Sequence, residues 1–518
     1  MSLSDEVDRG ITVTELAPMD QAIDALHETT AAFVGRTLRG PLNEPVLVAS
    51  FGEFKRRFGD SWSRSSLGPA VRQFFEHGGR RLYVVRVANS AKSALLCLPA
   101  DGSALVLRAR EPGSTETIRA AVDYDRIPEG DLDAFNLTLQ RLDPVTELVV
   151  DQEFYEGANW RPGSDAFVGD SLASSRIARL ERPWPTRRPE ATSGGDRPFG
   201  AAYVGAAQAG SDGQELSDYD LVGSRPTATG LFALRDVEDV DLLYLPPPGK
   251  GRDLGPAAIV AADLFCRDRG AMLIIDPPGT WTTPALAVAG VRRLGLASPN
   301  AIGYFPRLCA RDDDLPGGRA VGGALAGLLC KLDRNCGPWH PLDRQDMGFA
   351  RRLRATVDVD EREATQLIRA GLNVVGSGPA GRARLRGAVT MNRGGESRPG
   401  FSSLTARRSC LRIVNTIERA TRWCVFEADG ASITARIESQ VTAYLALLAG
   451  CGALANERYT VACEAVRDAS AGRGRRVVIA VGFQLAGCRE ALAFRLCHEA
   501  AGCRILSAAF PPPIEDCA

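Results

Sequence analysis

The pattern Gly376-Ser-Gly378-Pro-Ala-Gly381 follows an apolar run and matches the GxGxxG spacing of dinucleotide-binding loops. Such a loop binds a pyrophosphate only when a helix follows it, because the helix N-terminus supplies the positive end of the helix dipole. Here Pro379 lies inside the loop, and the alternating segment 382–390 that follows is typical of a strand. The sequence therefore favours a β-hairpin turn over a nucleotide site.

Other residue types that could do chemistry lack the spacing that the chemistry needs. Gly249-Lys250-Gly251 has neither the Walker spacing nor the following Ser or Thr. Asp312-Asp313-Asp314 is a consecutive run, whereas carboxylates that bind divalent metals usually alternate or come from separate elements. We therefore expect no catalytic centre, no metal site and no cofactor, although a triad assembled only in three dimensions stays open. The dispersed histidines are His27, His77, His340 and His498.

Composition gives no positive signal for nucleic acid, secretion or membrane insertion, and no acidic field argues against nucleic acid. The 518 residues carry a net charge of −1, so no global basic field favours nucleic acid. The N-terminus is acidic and polar, which predicts no secretory signal, and the uncharged run Gln440–Asn456 reads as a buried helix rather than a membrane span. Thirteen cysteines without a CxxC pair indicate free thiols rather than a disulfide framework. Nearly all basic residues are arginine, so charge pairing relies on planar guanidinium groups.

The elements that would position any site begin with the stretch Thr30–Ala88. Apolar strands are predicted over 31–34, 46–48 and 81–87. Ser50 and Glu53 have the spacing of a helix N-cap, and apolar residues recur at helical spacing from Leu67 to Phe75. We expect a compact unit of strands and helices here, without a catalytic grouping.

The rest of the chain changes character twice. Short β-type runs are predicted over 104–109, 117–124, 135–142 and 145–150, as in a small β-rich insertion. From Thr229 onward, helices alternate with apolar strands, which predicts parallel pairing through crossovers. Two strong helices, Leu404–Thr421 and Ile433–Leu448, precede a final set of strands.

Two terminal segments lack a partner in the sequence pattern. The β-like piece Gly10–Leu16 has no hairpin partner before Thr30, and a β-like tail over 503–510 runs into three prolines. A lone strand exposes unpaired backbone donors and acceptors, so each segment must find a sheet edge in its own subunit or in a neighbour.

Several phrases resemble the sheath proteins of contractile phage tails and related injection systems. They occur in the family's order, although the chain departs from the family pattern at Ile433 and over 482–494. The matching phrases are Thr30–Gly35, Arg39–Pro41, Glu44–Gly59, Ala70–Val87, Ala324–Pro341, Thr405–Thr421, Trp423–Ala428 and Ile433–Leu454.

The resemblance implies a mixed α/β core domain of tail-sheath type, with an inserted β-rich outer domain and extended terminal arms. It divides the chain into five segments. They are an N-terminal linking arm (1–29), the first part of the core (30–94), the insertion (95–225), the α/β core with the C-terminal domain (226–500) and a C-terminal linking arm (501–518).

The resemblance also implies a function. The chain would be a structural, non-enzymatic subunit of a sheath that assembles in the cytoplasm, polymerises as stacked hexameric rings around an inner tube, and contracts. Its partners would be other copies of itself, the tube, and the baseplate and terminator or cap proteins, with a second sheath paralogue as a further candidate. The resemblance implies neither binding to nucleic acid nor direct insertion into a membrane.

Particular residues follow from the same resemblance. Strand exchange between subunits would use the arm residues Ile11, Val13, Glu15, Ile505, Leu506 and Phe510. Arg436 and Glu438, on a predicted helix, are candidates for facing the tube.

Two rival functions stay open. One is a doubly wound α/β enzyme that binds a nucleotide near Gly378. The other is a baseplate or cap adaptor of the same machine, which would bind tube or sheath ends without forming tubes itself.

Overall fold

A computed structural model of the chain describes residues 23, 28–192, 202–249, 251–310, 317–342, 348–378, 382–392, 402–425, 431–467, 475–488, 491–499 and 502–506. The chain divides into two compact units. Unit 1 comprises Met1–His27 and Ser409–Ala518, and unit 2 comprises Glu28–Arg408. The predicted strand Gly10–Leu16 and the run Asp312–Asp314 lie outside the described residues.

Unit 2 begins with the elements predicted over Thr30–Ala88. The Ser50 side chain accepts a hydrogen bond from the Glu53 backbone N–H at 3.1 Å, which confirms the predicted helix start. Strand β1 is buried throughout. The elements are β1 (Ala31–Gly35), β2 (Pro45–Val48), α1 (Phe51–Phe58), α2 (Leu67–Glu76) and β3 (Leu82–Arg86).

Two antiparallel sheets follow, ordered β4-β5-β9 and β10-β6-β7-β8. Alternate residues of both sheets share one apolar core, as the predicted β-rich insertion requires. The elements are β4 (Leu95–Ala100), β5 (Ser103–Ala109), β6 (Thr117–Asp123), β7 (Ala134–Leu142), β8 (Val149–Asn159), α3 (Val168–Ser171), β9 (Ala178–Leu180) and β10 (Val204–Gly205).

The strand predicted over 145–150 is wrong in its position. Residues 143–148 form the turn between β7 and β8, and the strand begins only at Val149. The Asp143 carboxylate accepts hydrogen bonds from the backbone N–H groups of Val145 and Thr146, which bends the chain before it can extend.

The chain then alternates helices with apolar strands. The elements are α4 (Asp218–Val222), β11 (Leu242–Tyr244), α5 (Pro256–Arg269), β12 (Met272–Ile275), α6 (Pro284–Leu294), β13 (Ala301–Phe305), β14 (Leu308–Ala310), α7 (Gly322–Cys336), β15 (Leu353–Ala355), α8 (Glu361–Arg369), β16 (Asn373–Ser377) and β17 (Ala383–Arg386).

An eight-stranded sheet organises unit 2 in the order β17-β16-β13-β12-β11-β1-β3-β2. The six central strands are parallel, and the outermost strand at each edge is antiparallel to its neighbour. Parallel strands need helices on both faces, which explains their nearly continuous apolar sequences. The predicted crossovers and the mixed α/β class are therefore confirmed.

Unit 1 contains a helix pair and a four-stranded antiparallel sheet ordered β18-β19-β20-β21. The first helix passes from unit 2 into unit 1 between Arg408 and Ser409. The elements are α9 (Leu404–Thr421), α10 (Ala431–Gly450), β18 (Leu454–Arg467), β19 (Arg475–Leu485), β20 (Ala491–Glu499) and β21 (Gly502–Leu506).

Helix α7 packs against α2 with two glycines at points of close approach. A Cβ atom added at Gly327 would lie 2.3 Å from the Phe74 carbonyl oxygen, and one at Gly323 would lie 2.4 Å from the Ala70 carbonyl oxygen. Real Cβ atoms do not approach that closely, so the two helices must separate if either glycine gains a side chain.

We expect Gly327→Ala to lower the free energy of unfolding by about 1–3 kcal/mol, because overpacking forces backbone shifts. The intrinsic helix preference of alanine, worth about 1 kcal/mol over glycine, acts in the opposite direction. Urea unfolding measures the difference. Gly52→Ala is the matched control, since only the Ser50 hydroxyl lies near that site. A Gly327→Ala variant as stable as the control would contradict the close packing.

Candidate assembly surfaces

The predicted C-terminal arm residues lie partly in a strand. Ile505 and Leu506 belong to β21, which pairs antiparallel with β20 so that Ile505 is opposite Leu496 and Leu506 is opposite Arg495. Phe510 lies outside the described residues, as do Ile11, Val13 and Glu15. Among the described strands, β18 and β21 are the edges of this sheet. Their role in linking subunits stays a prediction.

The two candidate tube-facing residues have partners within unit 1. The Arg436 guanidinium carbon lies 4.4 Å from the centre of the Trp423 ring, a cation–π distance. The Glu438 carboxylate accepts a hydrogen bond from the Cys463 backbone N–H at 2.8 Å. Both side chains are half-buried, so contact with a tube would share them with these internal partners.

Two of the features that could have been catalytic, the GxGxxG segment and His77, make structural contacts among the described residues. Of the GxGxxG segment, residues 379–381 lie outside the described residues. On either side of them β16 pairs antiparallel with β17, and the Gly378 backbone N–H donates to the Arg382 carbonyl at 2.7 Å. This confirms the predicted hairpin. His77 is buried, with Nδ1 2.7 Å from the Gln73 carbonyl and Nε2 accepting from the Ala350 N–H at 3.0 Å. Burial lowers the pKa of His77, which matches this neutral imidazole.

No group of three or more potential metal ligands occurs among the described residues. Within the same residues, no helix combines the length and the apolar character that crossing a bilayer requires.

Asp333 of α7 and Arg408 of α9 form a buried ion pair. Their side chains are 4% and 5% exposed, and the Thr29 hydroxyl donates to the same carboxylate oxygen at 2.7 Å. The neighbouring Arg407 donates twice, at 2.7 and 3.2 Å, to the amide oxygen of Asn300, directly before β13. These contacts attach the first turn of α9 to α7 and to the parallel sheet.

The β-rich insertion leaves and rejoins the core through a short antiparallel ribbon. Backbone bridges join Asn89 to Gln214, Lys92 to Ser211 and Leu95 to Gln208. The ladder between the departing and returning segments holds both connections in one register. The insertion is therefore attached by two paired chains rather than by two independent linkers.

Two buried arginines strengthen this junction. Arg86, 2% exposed at the end of β3, donates to the carbonyls of Gly40 at 2.5 Å and Pro112 at 2.6 Å. Arg36, 3% exposed after β1, donates to the Asp212 carbonyl at 2.7 Å. Each guanidinium therefore bonds from the core to a residue of the insertion or of its returning segment. Burial lowers the pKa of both arginines, but an arginine side chain is effectively always protonated, so both stay charged.

Glu111 completes the junction from the insertion side. Its carboxylate accepts from the Gly40 backbone N–H at 2.7 Å. Burial, ahead of repulsion from Glu116, raises the pKa of Glu111. The carboxyl group therefore meets an environment that disfavours its charged form, even with Arg86 close by.

The sequence did not reveal the junction residues. An arginine that ends an apolar strand, as Arg86 does, normally reads as the solvent-exposed end of that strand. The signal in the sequence was that both arginines lie at the end of an apolar strand: Arg36 follows β1 and Arg86 is the last residue of β3. That these two strands pair with each other is known only from the structure. The pair Asp333 and Arg408 did fall inside two of the family-like phrases, but their contact joins residues 75 positions apart and was not predictable.

Comparisons with known proteins agree with this architecture. No protein-family model and no curated protein matches the sequence. A sheath tail protein from Listeria innocua is similar with a TM-score of 0.62 at 13% identity, covering 93% of this chain and 97% of that chain. A sheath tail protein from Desulfitobacterium hafniense is similar with a TM-score of 0.54 at 12% identity, covering 95% of this chain and 100% of that chain. The chain has a tail sheath fold.

A third structure extends the tail sheath fold to injection systems. The helical sheath of the anti-feeding prophage in its contracted state gives a TM-score of 0.53 at 14% identity, covering 94% of this chain and 98% of that chain. The likeness in fold that the sequence phrases predicted is therefore confirmed over nearly the whole length of each protein.

We expect Asp333→Asn to lower the free energy of unfolding by about 3–5 kcal/mol, because it leaves the buried Arg408 without a counter-charge. Chemical denaturation measures this loss. Asp101→Asn, which breaks a pair of exposed side chains with Arg187, is the control and should cost under about 1 kcal/mol. Replacing both buried partners, Asp333→Leu with Arg408→Met, should recover much of the loss. Equal effects for the two Asn variants would refute the assignment.

Glu111→Gln tests the pH dependence of the junction. A raised pKa in the fold means that Glu111 stabilises most below its unfolded pKa of about 4.3, and that this contribution is lost as pH rises through the folded value. Glutamine keeps an oxygen for the Gly40 N–H but does not titrate. We therefore expect wild-type stability to fall relative to Glu111→Gln as the pH rises above the unfolded pKa. Paired denaturation curves across that range measure the difference.

The control for this titration is Glu129→Gln, which removes an exposed carboxyl group in the loop before β7. A stability difference between wild type and Glu111→Gln that stays constant with pH would show that Glu111 is not held in a disfavoured charged form.

Proposed function

We propose that this chain is a structural subunit of a contractile sheath, which polymerises helically around an inner tube and contracts to drive that tube through a target envelope. The observation that carries the proposal is the similarity of fold over more than 90% of both chains to sheath proteins, including a helical sheath in its contracted state. The proposed role is mechanical rather than enzymatic.

Strand exchange is the proposed link between subunits. Strand β21 forms a five-residue antiparallel edge of the unit 1 sheet, and its pairs with β20 are backbone contacts that an identical strand from a neighbour can supply. Exchange therefore conserves hydrogen bonds while connecting two subunits. The segment 10–16, with Ile11, Val13 and Glu15, is proposed as the second exchanged strand.

The five-segment division of the chain belongs to the same proposal. The insertion over 95–225 would lie outside and the α/β core would face the tube, with Arg436 and Glu438 as candidate tube contacts. Proposed partners are further copies of this chain, the tube, baseplate and cap proteins, and a second sheath paralogue. Assembly would occur in the cytoplasm, as part of a phage tail or injection particle.

Electron microscopy of the purified chain, alone and with its tube partner, tests the proposal. We expect hollow helical tubes in negative stain. Deleting residues 1–20 should abolish them, because it removes one exchanged strand. The double variant Ile11→Asp with Val13→Asp should act in the same direction, and Thr12→Ser is the matched control that keeps the apolar face of the strand.

Two outcomes contradict the sheath proposal. A stable monomer at high concentration, unchanged by the deletion, would exclude strand-linked polymerisation. Binding only to the ends of tubes or sheaths formed by other proteins would instead identify the chain as a baseplate or cap adaptor.

A further inference from the structure

An apolar pocket of about 310 Å³ is lined by residues of helices α5 and α6 and of the parallel sheet. It adjoins a larger cleft at the carboxyl ends of β11, β12 and β13, with which it shares Pro247, Asp253 and Arg307. The lining residues that the structure describes all belong to unit 2, and most of them are apolar. Small-molecule pockets have this character and volumes of about 300–1,000 Å³. The pocket is therefore large enough for one small apolar molecule.

Gly303 opens the pocket from the side of the sheet. It lies in the middle of β13, which is otherwise an apolar and buried strand. A Cβ atom at Gly303 would lie 3.0 Å from Leu372 Cδ1 and 3.9 Å from Met391 Sδ, and both of these residues line the pocket. A side chain at position 303 would therefore project into the pocket. Glycine weakens a strand and often marks a place where a ligand approaches the backbone closely.

Trp281 forms the wall of the pocket on the side of α6. A Cβ atom at Gly290 would lie 2.3 Å from the indole ring, so the ring lies directly on the backbone of α6. Trp281 is half-buried, as is Leu294 at the end of α6, whereas Ile275 from β12 is buried. The wall is therefore a packed apolar surface that reaches from the core toward solvent.

The two acids of the lining have partners within the chain. Asp253 pairs with Arg307 and accepts from the Gly279 backbone N–H at 3.1 Å. Asp276 accepts from the Tyr244 hydroxyl and, at 2.8 and 2.9 Å, from two backbone N–H groups at the start of α7. The chain itself therefore satisfies both carboxylates and the arginine between the pocket and the cleft.

Arg293 is the remaining charged residue of the lining. Its side chain is exposed, and it makes no hydrogen bond or ion pair with any residue that the structure describes. It therefore places an unpaired guanidinium where the pocket meets solvent. A guanidinium binds a carboxylate through two parallel hydrogen bonds. The one unpaired charge of the lining thus favours an anionic head group.

We propose that this pocket binds a free amphipathic monocarboxylate, such as a medium-chain fatty acid. The alkyl chain would lie against Trp281, Leu372 and Met391, while the carboxylate would pair with Arg293. The apolar lining would supply most of the affinity, because an ion pair at an exposed arginine contributes little. The site goes beyond the proposed sheath function, since it lies within unit 2 and needs no second subunit.

Isothermal titration calorimetry of the purified chain with octanoate tests the proposal. We expect saturable binding of one octanoate per chain, with a dissociation constant below about 1 mM. Octanoate should also raise the melting temperature, because a ligand that binds only the folded state stabilises that state. The absence of saturable binding would overturn the proposal.

Filling the pocket tests where octanoate binds. Gly303→Ala adds one methyl group beside Leu372 and Met391 and should weaken octanoate binding about tenfold. Gly205→Ala is the matched control, because it adds a methyl group to a glycine of β10 that has no atom within 4 Å of the new position. Thermal melting verifies that each variant folds, and Leu294→Phe replaces Gly303→Ala if that variant unfolds. Equal affinities of the wild type and the filled variant would overturn the proposal.

Neutralising Arg293 tests the head group. Arg293→Gln should weaken octanoate binding about threefold, as expected for the loss of an exposed ion pair, and should leave the binding of neutral octan-1-ol unchanged. Arg292→Gln is the matched control, because Arg292 is exposed and adjacent in sequence but does not line the pocket. An equal loss of octan-1-ol affinity, or an equal effect of Arg292→Gln, would overturn the assignment of a carboxylate ligand.

Tube formation and octanoate binding are measured separately. Helical tubes from a chain that does not bind octanoate would leave the sheath proposal intact and overturn the pocket assignment. Octanoate binding that Gly303→Ala and Arg293→Gln weaken as expected, in a chain that forms no tubes, would support the pocket assignment while the sheath proposal fails.

Discussion

Buried guanidinium groups constrain how this protein can be built. An arginine removed from water loses a large hydration energy, so it persists inside a fold only where carbonyls or carboxylates replace that water. Arg408 has Asp333, and Arg86 has the Gly40 and Pro112 carbonyls. In each case the partner belongs to a different element, so the need to satisfy one charge fixes how two elements pack. The planar guanidinium of arginine can donate to two acceptors at once in a fixed geometry. A lysine ammonium is a compact charge and has no such fixed geometry.

The same constraint makes the junction of insertion and core stiff. Two paired chain segments carry the insertion, and guanidinium groups from the core bond to its β5–β6 connection and to its returning segment. Bending there would break several buried hydrogen bonds together, each with a desolvated partner left behind. Under the proposed sheath function, the large rotations would therefore belong to the linkers and exchanged strands, and the insertion would move with the core.

The sequence predicted those parts of the fold that depend on periodicity. The parallel strands, α9, α10 and the antiparallel pair of β16 and β17 were recovered because apolar spacing acts locally. Strand β4 was missed, and 145–150 was placed in a strand because valines there favour β-structure, whereas the turn depends on hydrogen bonds to Asp143. The burial of Arg36 and Arg86 was not predictable, since their acceptors are backbone carbonyls far away in sequence. The cleft at the carboxyl ends of β11, β12 and β13 was not predictable either, since it depends on which loops meet at that edge of the sheet.

Two kinds of contact with different physics would suit a contractile array. Exchanged strands are held by backbone hydrogen bonds, which depend little on salt and survive rotation of the domains that they connect. A contact between exposed charged and apolar side chains is weaker and screened by salt, because its charges remain close to water. Contacts of the second kind can break and re-form in a new register while the first kind keeps the subunits connected. Summed over many subunits, small differences between two such registers are sufficient to bias the whole array toward one state.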